Sequence, residues 1–263
     1  MSDQPLGGVI VELQNPDGNV ISRVTTTPMG QYHFDSVPPG AYRIMQYTPA
    51  DLLDGSSRVG RIDGLRNGVA QDGTLIRRIN MTPGGVGVEY NFCEIAPATL
   101  SGYVYHDRSN EGRRDRGEDG IAGASITLRD DTGEVVATTV TDAEGRYEFT
   151  DLPPGVYELS EGQPQGFLDG IDTAGRIGGF PIGNAINDRI REIDLAQGMS
   201  GTEYNFGELM AASLSGAVHV DLDGDCIRDT NEVGLSGVTI RLFDDSGRQV
   251  ATATTNAEGV YRF

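Results

Sequence analysis

The chain repeats itself, and this limits what it can fold into more than any other feature. Ser101-Gly102-Tyr103-Val104-Tyr105-His106-Asp107 returns as Ser215-Gly216-Ala217-Val218-His219-Val220-Asp221, an offset of 221 − 107 = 114. The same offset links Glu118 to Glu232, Leu128 to Leu242, and Gly145-Arg146-Tyr147 to Gly259-Val260-Tyr261. An earlier copy precedes both. Residues 8–13 match 123–128 at an offset of 115, and Glu89-Tyr90-Asn91-Phe92 matches Glu203-Tyr204-Asn205-Phe206 at 114. Val37-Pro38-Pro39-Gly40-Ala41-Tyr42 likewise matches Leu152-Pro153-Pro154-Gly155-Val156-Tyr157. A unit returning at this spacing is one packed module used again, at the usual size of a domain. The expected division is 1–97, a repeat without its first strand and acidic loop; 98–212, a complete repeat; and 213–263, the N-terminal half of a third. The chain reads as an excerpt of a longer protein.

Within the complete repeat, apolar residues alternate in short runs. Leu100 to His106, Ala124-Ile126-Leu128, Val136-Thr138-Val140, Tyr147 with Phe149, Tyr157 with Leu159, Ile193 with Leu195, and Tyr204 with Phe206 each keep a period of two. A period of two, rich in β-branched and aromatic residues, predicts about seven strands. Turn residues stand between them, as in Asp131-Thr132-Gly133, Asp142-Ala143-Glu144-Gly145 and Pro153-Pro154-Gly155. The expectation is all-β: tandem Ig-like or prealbumin-like two-sheet sandwiches. Residues 162–188 are Gly-rich and read as a long irregular loop with at most a short helical turn. The links between repeats are short, which predicts a stiff string.

Two acidic loops carry the chemistry. In 221–232, acids stand at Asp221, Asp223, Asp225, Asp229 and Glu232, positions 1, 3, 5, 9 and 12 of a twelve-residue loop. This is the spacing by which an EF-hand loop wraps one Ca²⁺, with a backbone carbonyl at position 7, here Ile227. The complete repeat has Asp107, Ser109, Glu111, Asp115 and Glu118 at the same places, with Arg113 supplying the carbonyl and Gly112 at position 6. With 39 acids in 263 residues, five acids at five set positions occur by chance roughly 0.02 times in the chain. Cys226 at position 6, where Gly is expected, makes the third loop harder to turn. The flanks are strand-like, so the ion would pin a loop to a sheet and would not open a helix pair. Asp169 and Asp172 are weaker candidates for a second ion. Asp142 and Glu144 are expected to cap a hairpin.

Composition excludes several classes. The 20 basic residues are all arginine, and against 39 Asp and Glu the net charge is −19. Such a surface repels nucleic acid and anionic membranes. No apolar run approaches the ~20 residues of a membrane-spanning helix, so no membrane insertion is expected in this segment. Two cysteines, Cys93 and Cys226, make no disulfide framework and are read as unpaired thiols, with a bridge between their repeats as the alternative. The three histidines are scattered and no catalytic set presents itself, so the chain is read as a non-enzyme.

Together these pieces resemble the B-type repeat of serine–aspartate-repeat surface adhesins and the wider Cna B-type, prealbumin-like group. The resemblance rests on the acidic loop followed by Gly-Ile-Ala-Gly-Ala-Ser-Ile-Thr-Leu, then Thr-Asp-Ala-Glu-Gly-Arg-Tyr-Glu-Phe and Leu-Pro-Pro-Gly-Val-Tyr. It implies a Ca²⁺-stiffened stalk, extracellular and secreted or cell-surface attached. The partners it implies are neighbouring repeats, and a host or matrix protein or glycan held through other domains. Many Cna B-type domains carry a Lys–Asn isopeptide bond, which a lysine-free chain cannot form. Two other readings stay open. One is an adhesion module gripping protein or glycan through 162–188, where Phe167 and Phe180 are the ring candidates. The other is an accessory β domain of a secreted enzyme.

Overall fold

The computed structural model describes residues 3–263, and no helix occurs among them. The chain parts into two compact units, one reaching Leu209 and one running from Met210 to Phe263. The first unit contains the first two repeats.

The complete repeat is a sandwich of two sheets. One sheet has the order Val135–Val140, Ser125–Asp130, Gly155–Gly162, Arg189–Leu195, Asn184–Ala185, antiparallel throughout. The other is built on Ala98–His106. Arg146–Leu152 pairs with that strand antiparallel, while Ser200–Thr202 and Phe206–Met210 pair with it in parallel. Beyond these lie Phe167–Asp169 on one side and Arg176–Ile177 with Phe180–Pro181 on the other.

The alternation seen in the sequence becomes the core. Leu100 and Val104 from one sheet meet Ile126, Leu128, Leu159, Ile190 and Ile193 from the other, all fully buried. Each such side chain contributes about 1.5–3 kcal/mol relative to exposure. The turns hold themselves. Asp130 Oδ1 accepts the amides of Thr132 and Glu134, each at 3.0 Å. Asp142 Oδ1 accepts those of Glu144 at 3.1 Å and Arg146 at 2.7 Å. Asp142 is therefore the hairpin cap, and the Glu144 side chain is not. After Pro153-Pro154-Gly155, the Tyr157 hydroxyl donates back to the Pro153 carbonyl at 2.6 Å, as Tyr42 does to Pro38 at 2.8 Å.

The stretch 162–188 differs from expectation. It has no helical turn and forms four short strands, Phe167–Asp169, Arg176–Ile177, Phe180–Pro181 and Asn184–Ala185, which extend both sheets. Strands of two or three residues are too short to show a period, and their pairing comes from the sheet edges beside them. Phe167 packs against the core and meets His106 edge-on at 6.0 Å, so it is no free ring; Phe180 is 72% exposed.

The first repeat keeps the antiparallel sheet Val20–Thr25, Ile10–Gln14, Gly40–Gln46, Leu75–Met81, Val69–Ala70. Its second sheet is in pieces: Leu53–Arg58 with Asn91–Ile95, and Leu65–Arg66, Arg61–Ile62 and Gly87–Val88. Among its described residues there is no counterpart of Ala98–His106. In the second unit, Ser215–Ala217 pairs with Val260–Arg262 and Thr239–Phe243 with Gln249–Thr254. Cys93 and Cys226 are both free and exposed.

Candidate metal centre

The two predicted loops fold with the same wiring. At position 1, Asp107 accepts the amide of Gly112 at 2.7 Å, and Asp221 accepts that of Cys226 at 3.0 Å. At position 12, Glu118 accepts the amides of Arg108 and Asp115 at 2.9 and 2.8 Å. Glu232 does the same for Leu222 and Asp229, at 2.8 and 3.1 Å. Position 6 is left-handed in both, with φ of 73° at Gly112 and 61° at Cys226. Only glycine takes that conformation freely, so the cysteine strains its turn.

The loops differ in what their acids do. Asp221, Asp223 and Asp225 bring carboxylate oxygens within 4.8 Å of one another. Asp229 and Glu232 stay outside that triad, and Glu232 lies 3.4 Å from His219. In the complete repeat, Ser109 donates to Asp107 at 3.2 Å. Arg113 draws off Asp115 at 2.9 Å and Glu111 at 3.6 Å. These loop acids form no triad among the described residues.

A second acidic group was largely missed by sequence reasoning. Glu161, at the end of Gly155–Gly162, lies with Asp188 and Glu208, their oxygens within 4.8 Å of one another. Asp188 also joins Asp169 and Asp172 in a second such triad. Glu208 is fully buried and Glu161 is 8% exposed. Gln163 donates to Glu208, and the Asp188 amide donates to Asp172 at 2.7 Å. Both oxygens of Glu161, and one each of Asp169, Asp172, Asp188 and Glu208, are buried without a partner. Burial pushes Glu161 and Glu208 up from the ordinary carboxylate range, and repulsion between them adds to this at Glu161. Asp172 is pushed up to about 7 by burial, helped by the charges of Asp169 and Asp188. Asp188 rises for the same reasons.

Hard oxygens in this number and at this spacing fit a hard divalent cation such as Ca²⁺, which takes six to eight of them. Without one, these charges repel and must gather protons. The loop and the cluster are neighbours. Thr173 donates to the Gly112 carbonyl, and the Asp107 amide donates to the Glu208 carbonyl at 2.9 Å.

The first repeat serves as an internal comparison. Gln46 stands where Glu161 does, and Ser57 replaces Asp172 at an offset of 115. The Gln46 amide donates to the Thr74 carbonyl as the Glu161 amide donates to Asp188, so Thr74 takes the place of Asp188. Only Asp54 and Glu94 remain of the five acids. Of the cluster, Asp169 and Asp172 were visible in the sequence as a pair three positions apart. Glu161 and Glu208 come from distant strands and Asp188 from the turn before Arg189–Leu195, and only sheet pairing unites them.

The fold and these acid sets define a class: tandem β-sandwich modules with acid-rich loops. Residues 1–87, 98–181 and 212–263 each match the family described as the SdrD B-like domain. The chain belongs to that family. It is 31% identical over 275 residues to serine-aspartate repeat-containing protein D of Staphylococcus aureus (strain Newman), covering 99% of this chain and 19% of that protein. It is also 31% identical over 277 residues to serine-aspartate repeat-containing protein F of Staphylococcus epidermidis, covering 99% of this chain and 15% of the relative. The chain therefore spans under a fifth of the length of these relatives. Among solved structures, the shaft pilin SpaA of Lactobacillus rhamnosus GG matches at a TM-score of 0.33 and 10% identity, over 80% of this chain and 90% of that one.

Proposed function

We propose that this chain is a non-catalytic spacer segment of a surface or secreted adhesin-type protein, and that Ca²⁺ completes its modules. Two kinds of site take the ion. The first is the EF-hand-type loop: Asp107, Ser109, Glu111, Arg113 carbonyl, Asp115 and Glu118 in the complete repeat, and Asp221, Asp223, Asp225, Ile227 carbonyl, Asp229 and Glu232 in the third. The second is the interior group Glu161, Asp169, Asp172, Asp188 and Glu208. The observation that carries this reading is the set of buried carboxylate oxygens without partners. Uncompensated buried charge is expensive, and a divalent ion compensates it. The relatives, named for serine–aspartate repeats, support a role as one stretch of a longer surface protein.

The reaction of the chain to the ion is structural. The ion cancels repulsion between acids and ties the loop 107–118 to the strands behind it. With a Kd of ~10⁻⁴ M and ~1 mM free Ca²⁺, each site adds about 1.4 kcal/mol, a gain available outside cells and absent in cytosol. Thermal melting of the chain in Ca²⁺ and in chelator tests this. A higher midpoint in Ca²⁺ is expected, and equal midpoints overturn the reading.

A further inference from the structure

On the outer face of the first repeat's antiparallel sheet, three arginines converge. In Gly40–Gln46, Tyr42 and Ile44 face the core, so Arg43 between them lies on the opposite face. The neighbouring strand Leu75–Met81 is bulged at this place. Tyr42 pairs with Ile79 and Ile44 with Ile76, which leaves Arg43 opposed by both Arg77 and Arg78. Arg78 takes a left-handed φ of 57° there. A bulge sets two residues of one strand against one of its partner. Here it gathers Arg43, Arg77 and Arg78 around a depression of about 410 Å³, which Asn80, Gln71 and Pro16 also line.

The fold leaves these charges uncompensated. Among the described residues, none of the three arginines forms an ion pair. Arg43 Nε is buried without a hydrogen-bond partner. The charge of Asp72 reaches Arg77, but its carboxylate already accepts the Thr74 amide and hydroxyl, both at 2.9 Å. The complete repeat has the same bulge, with Glu192 at φ of 58° in place of Arg78. There Glu158 replaces Arg43 and is met by Arg191 at 3.1 Å and Arg189 at 3.9 Å, and Asp194 replaces Asn80. One arginine and three acids thus stand where the first repeat has three arginines and an amide. All five strands of this sheet are present in both repeats, so the contrast lies in side chains alone.

We propose that this depression binds a compact, doubly charged oxyanion of the sulfate or phosphate kind, free or as a monoester. Guanidinium groups present forked N–H donors that match the oxygens of such an anion. Three of them offer more donors and more charge than one carboxylate can satisfy. A dianion cancels most of the local charge and does for Arg77 what Glu158 does for Arg191. The chain as a whole carries −19 and repels a long polyanion, so the ligand is small. The site needs no Ca²⁺ and gives the first repeat a binding role that the complete repeat, with Glu158 and Glu192, does not share.

Titration of the whole chain, followed by NMR at constant ionic strength without Ca²⁺, tests this. The probes are inorganic sulfate, a glucose sulfate monoester, a glucose phosphate monoester and acetate. Saturable shifts of the amides of 41–43 and 76–80 are expected, with acetate weaker by about tenfold or more. Equal affinity for free sulfate and the esters assigns the site to the anion itself, and tighter binding of an ester assigns it to a sugar-borne group. Arg43→Glu and Arg78→Glu each copy the complete repeat, which folds with glutamate at both places. Both variants should keep the melting midpoint and weaken binding by about tenfold or more. Arg43→Lys, which keeps the charge and loses the fork, should bind with intermediate strength. Shifts that never saturate, acetate binding as tight as sulfate, or binding undiminished in both glutamate variants overturns the site.

Discussion

Glu161 is the side chain whose environment is least tolerable without an ion. Both its oxygens are buried without a donor, and Glu208 and Asp188 stand beside it. Replacing it as the first repeat has done, Glu161→Gln, removes a carboxyl that the folded chain must protonate when no ion is bound. The variant should be more stable than the parent in chelator by about 1 kcal/mol or more, and should bind Ca²⁺ at least about tenfold more weakly. Urea unfolding and calorimetric titration measure the two effects, which have opposite signs. Glu118→Gln acts on the loop 107–118 alone: calorimetry should lose that one site and keep the loop 221–232 and the interior group. The titration of Asp172 gives a further expectation. Its carboxyl is raised from 3.8 to about 7 on folding, so the folded state holds a proton that the unfolded chain releases. Stability in chelator should therefore be greatest below about pH 4 as far as this group is concerned, and fall as pH rises toward 7. Saturating Ca²⁺ should flatten that fall. A melting series across this range, with and without the ion, checks it.

At the scale of elements, Ala98–His106 organises the complete repeat because it has neighbours on both edges. The tight point is Gly102, where any side chain collides with the backbone of residue 204. Gly102→Ala should lower stability by about 3 kcal/mol, read by denaturant unfolding. Most of the alternating runs that predicted strands in this repeat hold up because they bury one face: Ile126 and Leu128, Tyr157 and Leu159, Ile193 and Leu195. Val136, Thr138 and Val140 form a strand too, but their shared face is the exposed one. The loops 107–118 and 221–232 were legible for another reason. A twelve-residue loop supplies its own ligand positions, so linear spacing carries the geometry. The interior cluster had no such signature. Apart from the adjacent Asp169 and Asp172, its members lie on separate segments, and sheet pairing decides that they meet. The short strands within 162–188 were hidden likewise, since two residues show no period.

For the molecule as a whole, the contrast between repeats is the informative feature. One repeat has the full acid set, and the other has Gln46, Ser57 and Thr74 in its place. Ca²⁺ should then act unevenly. Amide exchange should slow in 98–209 on adding the ion, with little change in 10–81. Uniform slowing would place the ion elsewhere. The overall midpoint should rise by about 5 °C or more in millimolar Ca²⁺.

The parallel pairing in the complete repeat has one more consequence. Val104, Tyr105 and His106 face Phe206, Gly207 and Glu208, so the entering and leaving strands run side by side in the same direction. A pull applied through the chain drags these strands past each other lengthwise. Their hydrogen bonds are then loaded together, in shear, and cannot peel open one at a time. Rupture depends on the rate of crossing that barrier rather than on equilibrium stability. The acids that would clasp an ion sit at this junction, at Asp107 and Glu208, where a bound cation would rivet the two strands against sliding.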